Sequence, residues 1–446
     1  MTDLPNGVGL AGAPGVLWDR RVRAYRAPAS GYSALKRWLL AVGVRFEEIS
    51  ARPRSIKEAW SVVDLRAYQE AALSAWELAQ RRGVIALPTG SGKTRLALAV
   101  MQRTQLSALC LVPTRVLLDQ WSREVNAVYR EAIGCYGDGV RRLAPVTIAT
   151  FEGAYRHMHE IGHRFDLLIV DEVHHFGGGL RDEALEMAIA DARLGLTATP
   201  PRDTSAAACL SQLVGPTVFE LTVGDLAGGF LASFDAITLY LDLSPEERSS
   251  YTNLSFIFKG VYTQFHRAVP GASWMDFSRH ATRTPEGRRA LIAWRQMRRV
   301  LSFTRAKRRA VRSLLERHRD SKVLVFTADN DTAYTIAREH LVMPLTCDIS
   351  RQERADVLDR FRAGDLRTLV SARVLNEGLD VPDADVAVIV GGALGEREHV
   401  QRVGRLLRPG EGKRAVVYEL VTRNTIEVGQ ARRRRQGLVT RSSGQL

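Results

Sequence analysis

Residues 84–102 run from a short apolar segment, VIAL, through an irregular turn, PTGSG, into a helical pattern, KTRLALAVMQ. This order constrains the fold more than any other feature of the chain. A short apolar run bounded by turn residues is a strand buried on both faces, which belongs in a parallel sheet covered by helices. The turn residues Pro88, Thr89, Gly90, Ser91 and Gly92 let backbone N–H groups approach an anion closely. The N-terminus of the helix that follows favours negative charge. Lys93 and Thr94 open that helix. A lysine at this point reaches the β- and γ-phosphates of a nucleoside triphosphate, and the adjacent hydroxyl ligates Mg²⁺. The strict pattern has glycine where this chain has Leu87.

A second apolar run, DLLIV at residues 166–170, ends in Asp171 and Glu172. Ligands of open α/β sheets bind beyond the carboxyl ends of the strands. Asp171 is therefore expected to hold Mg²⁺ through water, and Glu172 to orient or deprotonate an attacking water, because phosphoryl transfer depends mainly on positioning. His174 and His175 follow without a cysteine or carboxylate at zinc-ligand spacing. His174 is read instead as a residue coupling nucleotide to nucleic acid. Far downstream, in QRVGRLLR at residues 401–408, Gln401, Gly404, Arg405 and Arg408 fall on one helix face. A glycine inside a helix costs about 1 kcal/mol relative to alanine, and close approach of another backbone would account for it. Arg405 and Arg408 are candidate arginine fingers; the alternative is a solvated basic face. A nucleotide site divided between such distant segments suits a motor, since hydrolysis can then drive domain closure.

The full length of 446 residues admits two or three domains, and 45% hydrophobic residues suffice for packed cores. The formal charge of +14 points to a polyanionic partner. Basic residues concentrate at 279–319 and 432–435. Cys110, Cys135, Cys209 and Cys347 are scattered, which implies neither a metal cluster nor a disulfide framework. No run reaches membrane-spanning length and the N-terminus lacks a signal-peptide pattern, so a cytoplasmic, nucleoid-associated protein is expected.

Further segments occur in a telling order. They are LRAYQ (65–69), LVPTRVLLDQW (111–121), TIATFEGAY (147–155), LTATP (196–200), VLVFTADN (323–330) and VLNEGLDVPDADVAV (374–388). Together with the nucleotide motifs they resemble the superfamily two helicases. DEVHH, the DQW ending and the LNEGLDVPDAD run are most similar to the XPB family, in its archaeal and bacterial DNA repair form. The resemblance implies an α/β fold of two RecA-like domains, each a doubly wound parallel sheet, with a helical thumb insertion and a small N-terminal region. The corresponding bounds are 1–60, 61–232 and 233–446, with the thumb at about 244–283. The N-terminal region is read either as part of a damage-recognition domain or as a terminal extension. Phe256, Phe258, Tyr262 and Phe265 of the thumb suit either base stacking or a helix-pair core.

The same resemblance assigns roles. Arg66 and Gln69 read adenine, and Gly378 and Asp380 join the nucleotide site. Thr114, Arg115, Thr150, Thr197, Arg202 and Thr346 hold the DNA backbone. It implies ATP and Mg²⁺ as cofactors and 3′-to-5′ movement on single-stranded or forked DNA by a monomeric motor with a nuclease as partner. An RNA-remodelling ATPase and a non-enzymatic DNA-binding scaffold are the rival readings. One departure stands out. The family carries Arg-Glu-Asp after the LTAT element, associated with strand separation, whereas this chain has Arg202, Asp203 and Thr204. Hydrolysis is expected to survive that change, and unwinding to be weak.

Overall fold

The computed structural model describes residues 10–48, 59–137, 139–201, 203–222, 225, 233–372, 384–391 and 414–436. The chain divides into two compact units, Met1–Thr222 and Val223–Leu446, slightly before the boundary at 232 expected from the sequence.

In the first unit, a hairpin of β1 (Leu17–Asp19) and β2 (Ala24–Arg26) precedes α1 (Tyr32–Ala41). This N-terminal piece has a small core of its own, formed by Leu10, Ala13, Leu39 and Val44 with Leu35, Trp38 and Phe46 packed on it. The motor fold begins at α2 (Ala67–Leu78) and β3 (Arg82–Ala86), followed by α3 (Lys93–Thr104), β4 (Ala108–Val112) and α4 (Arg115–Asn126). Then come β5 (Gly134–Gly137), β6 (Val140–Arg142), β7 (Val146–Thr150), α5 (Phe151–Ile161) and β8 (Leu167–Val170). The short α6 (Glu183–Glu186), β9 (Ala192–Thr197), α7 (Thr204–Leu213) and β10 (Thr217–Glu220) complete the unit.

Among the described residues these strands form one sheet in the order β10-β3-β9-β8-β4-β7-β5-β6. Pairing is parallel except between β5 and β6. Every residue of β4, β7, β8 and β9 is buried, as helices on both faces require.

One of those buried residues is Arg193. Its guanidinium donates to the carbonyls of Ala190, Leu185, Ala188 and Leu213. Those carbonyls lie at or just beyond the C-terminal ends of α6 and α7, where helices leave acceptors unsatisfied. Burial pushes the arginine down to about 9, so it remains charged at neutral pH.

The second unit opens with the long strand β11 (Ser233–Leu241), then α8 (Pro245–Ala268), α9 (Trp274–Ala281), α10 (Pro285–Ser302) and α11 (Arg305–Arg317). Strands β12 (Val323–Thr327), β13 (Met343–Leu345), β14 (Thr368–Ala372), β15 (Val386–Ile389) and β16 (Arg414–Thr422) follow, with α12 (Asn330–His340), α13 (Arg351–Ala363) and α14 (Ile426–Gln436). Its sheet runs β11-β16-β15-β12-β14-β13, parallel throughout. Strand β11 pairs with β16 along its whole length and forms one edge of this sheet.

Helix α8 starts at Pro245, with Ser244 as its N-cap. The Ser244 hydroxyl accepts from Glu247 N, and Glu247 returns a carboxylate to Ser244 N, a reciprocal cap. Of its aromatics, Phe258, Tyr262 and Phe265 pack on the fully buried Phe277 of α9, whereas Phe256 is 80% exposed. Among these four residues, only Phe256 leaves its ring open to a base. Beneath the sheet edge, Lys307 is fully buried against Glu427, Nζ to Oε1 2.7 Å, and also donates to Leu301 O.

Candidate nucleotide site and nucleic-acid groove

Strand β3 delivers the chain to the phosphate loop. Leu87, buried where the strict pattern has glycine, donates its N–H to Thr197 O at 2.9 Å. It is thus the last rung joining β3 to β9. Gly90 and Gly92 then take φ values of 84° and 81°, a left-handed conformation that suits glycine. Gln69 on α2 clamps the loop from outside: its Nε2 donates to Ser91 O at 2.9 Å and Gly92 O at 3.2 Å, while its Oε1 accepts from Arg66 N. Tyr68 adds a hydroxyl donated to Ser91 O at 2.6 Å. A Cβ at Gly92 would stand 2.6 Å from Gln69 Nε2. Ser91 Oγ closes the turn on Pro88 O, and Lys93 Nζ reaches Leu87 O and Pro88 O at 3.1 and 3.3 Å. Thr89 Oγ1 is buried and has no hydrogen-bond partner among the described residues.

The acid pair stands at the end of β8. Asp171 is buried, and both its oxygens are engaged. Oδ1 accepts from Glu172 N at 2.9 Å, and Oδ2 accepts from the indole N–H of Trp121 at 3.0 Å. Burial is the largest influence on this carboxyl and raises its pKa; the nearby Lys93 charge and the two N–H donors oppose it. Glu172 takes φ 48°, ψ 48°, a strained left-handed conformation for a side chain of this size and a common feature of functional sites. His174 follows in a 3₁₀ turn, Val173–His175. Its Nδ1 lies 3.0 Å from Thr197 Oγ1 and 3.5 Å from Glu172 Oε2. Thr197 Oγ1 also donates to Thr199 O and accepts from Thr199 N.

On another edge of the same unit, the N-termini of α4 and α5 open into one groove of about 550 Å³. Thr114 and Thr150 line it, and their hydroxyls cap these helices by accepting from Leu117 N and Gly153 N. Arg115, Arg141 and Arg156 line it too. Two helix N-termini flanked by arginines make a site for successive phosphates.

Thr197 and Thr346 are placed differently from Thr114 and Thr150. Both are fully buried, and their hydroxyls serve internal partners, Thr197 as described and Thr346 with the Tyr334 hydroxyl at 2.7 Å. Gln401, Arg405, Arg408, Gly378, Asp380 and Arg202 lie outside the described residues. Asp203 caps α7, its Oδ1 accepting from Ser205 N, Ala206 N and Ser205 Oγ. Two contributors escaped the sequence reading. Tyr68 stands one residue before Gln69 but carried no signal of its own. Trp121 is read only as the end of the DQW segment, with no role; it shares the buried face of α4 with Leu118 and Val125, as a core residue would.

The residues fit a nucleoside triphosphate with Mg²⁺. The loop has a glycine at 92 where a side chain would collide with Gln69, Lys93 and Thr94 begin a helix, Asp171 presents a carboxylate braced on both oxygens, and the Thr89 hydroxyl is buried with no hydrogen-bond partner among the described residues.

This fold and site define a P-loop motor of helicase superfamily two. The chain belongs to the XPB family within it. Three family models match in turn: the Xeroderma pigmentosum group B helicase damage recognition domain at residues 4–49, the Type III restriction enzyme res subunit at 62–202, and the helicase conserved C-terminal domain at 306–410. The first covers the region that the sequence left open between two readings. The chain is 35% identical to the DNA 3'-5' translocase XPB2 of Sulfurisphaera tokodaii, over 95% of this chain and 96% of that one. It is 30% identical to the DNA 3'-5' helicase XPB of Mycobacterium tuberculosis, over 92% of this chain and 71% of that one. The helicase domain of Pyrococcus furiosus Hef shares the fold, with a TM-score of 0.55 at 18% identity, over 83% of this chain and 98% of that one.

Proposed function

We propose that the chain hydrolyses ATP to move 3′ to 5′ along DNA, as a helicase or translocase acting in DNA repair. The observation that carries this reading is the connected path in the first unit. The P-loop strand meets Thr197 through Leu87, and Thr197 meets the acid pair through His174. Bound ATP with Mg²⁺ supplies the anhydride to be cleaved and a cation that neutralises charge on its phosphates. The chain does the rest by positioning. The α3 N-terminus and Lys93 hold the phosphates, Thr94 and Asp171 face the metal, and Gln69 clamps the loop beside the base. Glu172 aligns the attacking water. A change at Glu172 reaches Thr197 through His174 and so reaches the segment that follows β9.

The groove lined by Thr114, Arg115 and Thr150 suits sequence-independent contact with one phosphodiester strand. Gln401, Arg405 and Arg408 are proposed to act on the γ-phosphate, with Gly378 and Asp380 assisting. Among the described residues no helix is long and apolar enough to cross a membrane; a cytoplasmic, nucleoid-associated monomer with a nuclease as partner completes the reading. The test is ATP turnover with single-stranded DNA, forked DNA and RNA, followed by strand displacement. Stimulation by RNA in preference to DNA would replace the DNA reading with RNA remodelling, and absence of turnover would leave a DNA-binding scaffold.

A further inference from the structure

Among the described residues, Trp121 is the one side chain from outside the nucleotide motifs with a hydrogen bond to the Asp171 carboxylate, which is proposed to face Mg²⁺. It sits on α4, the helix whose first residues line the nucleic-acid groove. We infer that Trp121 is a positioning residue that transmits the state of the groove to Asp171.

Three observations support this. First, the indole is fully buried, so its N–H must find an acceptor inside the protein. The acceptor is Asp171 Oδ2 rather than a backbone carbonyl. Since Oδ1 is already held by Glu172 N, the indole fixes the remaining rotation of the carboxylate about its own axis. A carboxylate so braced on both oxygens keeps its other lone pairs aimed in set directions.

Second, the backbone reinforces the link. Asp171 N donates to Leu111 O at 2.9 Å, continuing the β4–β8 pairing. The segment from Leu111 to Trp121 therefore holds Asp171 twice, by main chain where β4 nears its end and by side chain two helical turns past the groove. Third, α4 is a short, well-capped rod. Thr114 caps it and faces the groove, and Trp121 lies roughly 10 Å farther along the axis. Leu118, Trp121 and Val125 bury one face, so the rod moves as a body rather than bending. A shift at the Thr114 end on gripping a phosphate displaces the indole and with it Oδ2.

This channel is separate from the one through His174 and Thr197. The two leave the acid pair by different residues and reach different parts of the unit, Trp121 from Asp171 toward the groove and His174 from Glu172 toward the end of β9.

The inference rests on Asp171 facing Mg²⁺, and its test separates the two. Trp121→Phe keeps an aromatic ring, though a smaller one, and removes the N–H; benzothienylalanine at the same position removes the N–H at unchanged shape and separates the two effects. In the full-length chain, binding of a fluorescent ADP is measured with and without Mg²⁺, beside basal and single-strand-stimulated ATP turnover and DNA affinity without nucleotide. Groups that orient metal ligands typically govern about 10- to 100-fold in affinity or activity. The expected result is unchanged Mg²⁺-free ADP affinity and unchanged DNA affinity, with the Mg²⁺-dependent gain in ADP affinity and the DNA stimulation factor each reduced about tenfold. Wild-type values for both in W121F would overturn the inference while leaving the functional reading intact. A wild-type chain that shows no Mg²⁺ effect at all would overturn the functional reading first. If W121F fails to fold, site-specific replacement of Trp121 by benzothienylalanine, which exchanges the N–H for sulfur in the same shape, gives the same decision.

Discussion

His174 Nδ1 and Thr197 Oγ1 are 3.0 Å apart, and they join the acid pair to the end of β9 through a hydroxyl with no face to solvent. A direct DNA contact by that hydroxyl and an internal coupling role predict different outcomes for Thr197→Val, which keeps the shape. Thr197→Val removes one hydrogen bond, which typically contributes about 0.5–1.5 kcal/mol, while Glu172 Oε2 stays 3.5 Å from His174 Nδ1. The expected variant binds DNA as tightly as the parent without nucleotide but loses most DNA stimulation of turnover. A fall in nucleotide-free DNA affinity instead would make Thr197 a DNA contact.

Lys93→Ala removes the cation of the phosphate loop. ATP turnover is expected to fall to background, with DNA binding preserved because the groove lies on other elements. A non-hydrolysable ATP analogue, which raises the melting temperature of the parent by mass action, should leave that of the variant unchanged. Near-normal hydrolysis by purified K93A would remove the loop from the catalytic site.

At Gly92 the backbone and the neighbour argue together. The φ of 81° disfavours any side chain, and a Cβ would meet Gln69 Nε2 at 2.6 Å. Gly92→Ala should therefore push Gln69 off the loop as well as strain it by about 1–2 kcal/mol. Calorimetry is expected to show ATP affinity lost with the unfolding transition nearly intact; an unchanged affinity would mean that the clamp is ornamental.

Lys307 and Glu427 test the second unit. Removing one partner of a buried pair costs roughly 3–5 kcal/mol, while replacing both by apolar groups of similar volume is often neutral. Lys307→Met alone should thus lower denaturant stability severely, and Lys307→Met with Glu427→Met should recover most of it. If the double variant is no better than the single one, the pair is not the source of the loss.

The Asp203 carboxylate is committed to the start of α7, so glutamate there, a weaker cap, would fray the helix. Thr204→Asp adds the missing acid and spares the cap. Weak unwinding of a forked duplex is expected from the parent and more base pairs opened per ATP from T204D. Equal yields per ATP would make the departure from Arg-Glu-Asp neutral.

What could be read from the chain follows from how local the chemistry is. The P-loop and the acid pair were legible because a phosphate cradle needs contiguous residues, and because a strand buried on both faces announces itself as an apolar run. The cap of α8 is local in the same way, written within the four residues Ser244 to Glu247. Trp121 and Asp171 were not paired in advance, nor were Lys307 and Glu427. Each partner looks ordinary in its own window, a tryptophan on an apolar helix face or a lysine in a basic helix, and only the topology brings them together. Arg193 even contradicts its local pattern, because a charge in a buried strand is admissible only when distant helix ends supply acceptors.

That arginine bears on how the motor comes into being. Strand β9 lies between the phosphate-loop strand β3 and the acid-pair strand β8, so neither half of the nucleotide site meets the other until β9 is inserted. Insertion carries a guanidinium into the interior, which is prohibitive until its carbonyl partners beyond α6 and at the end of α7 are in place. The strand that joins the two halves of the nucleotide site is thus also the strand whose burial depends on the packing of α6 and α7, so the integrity of the site and the closure of this core rest on the same residue.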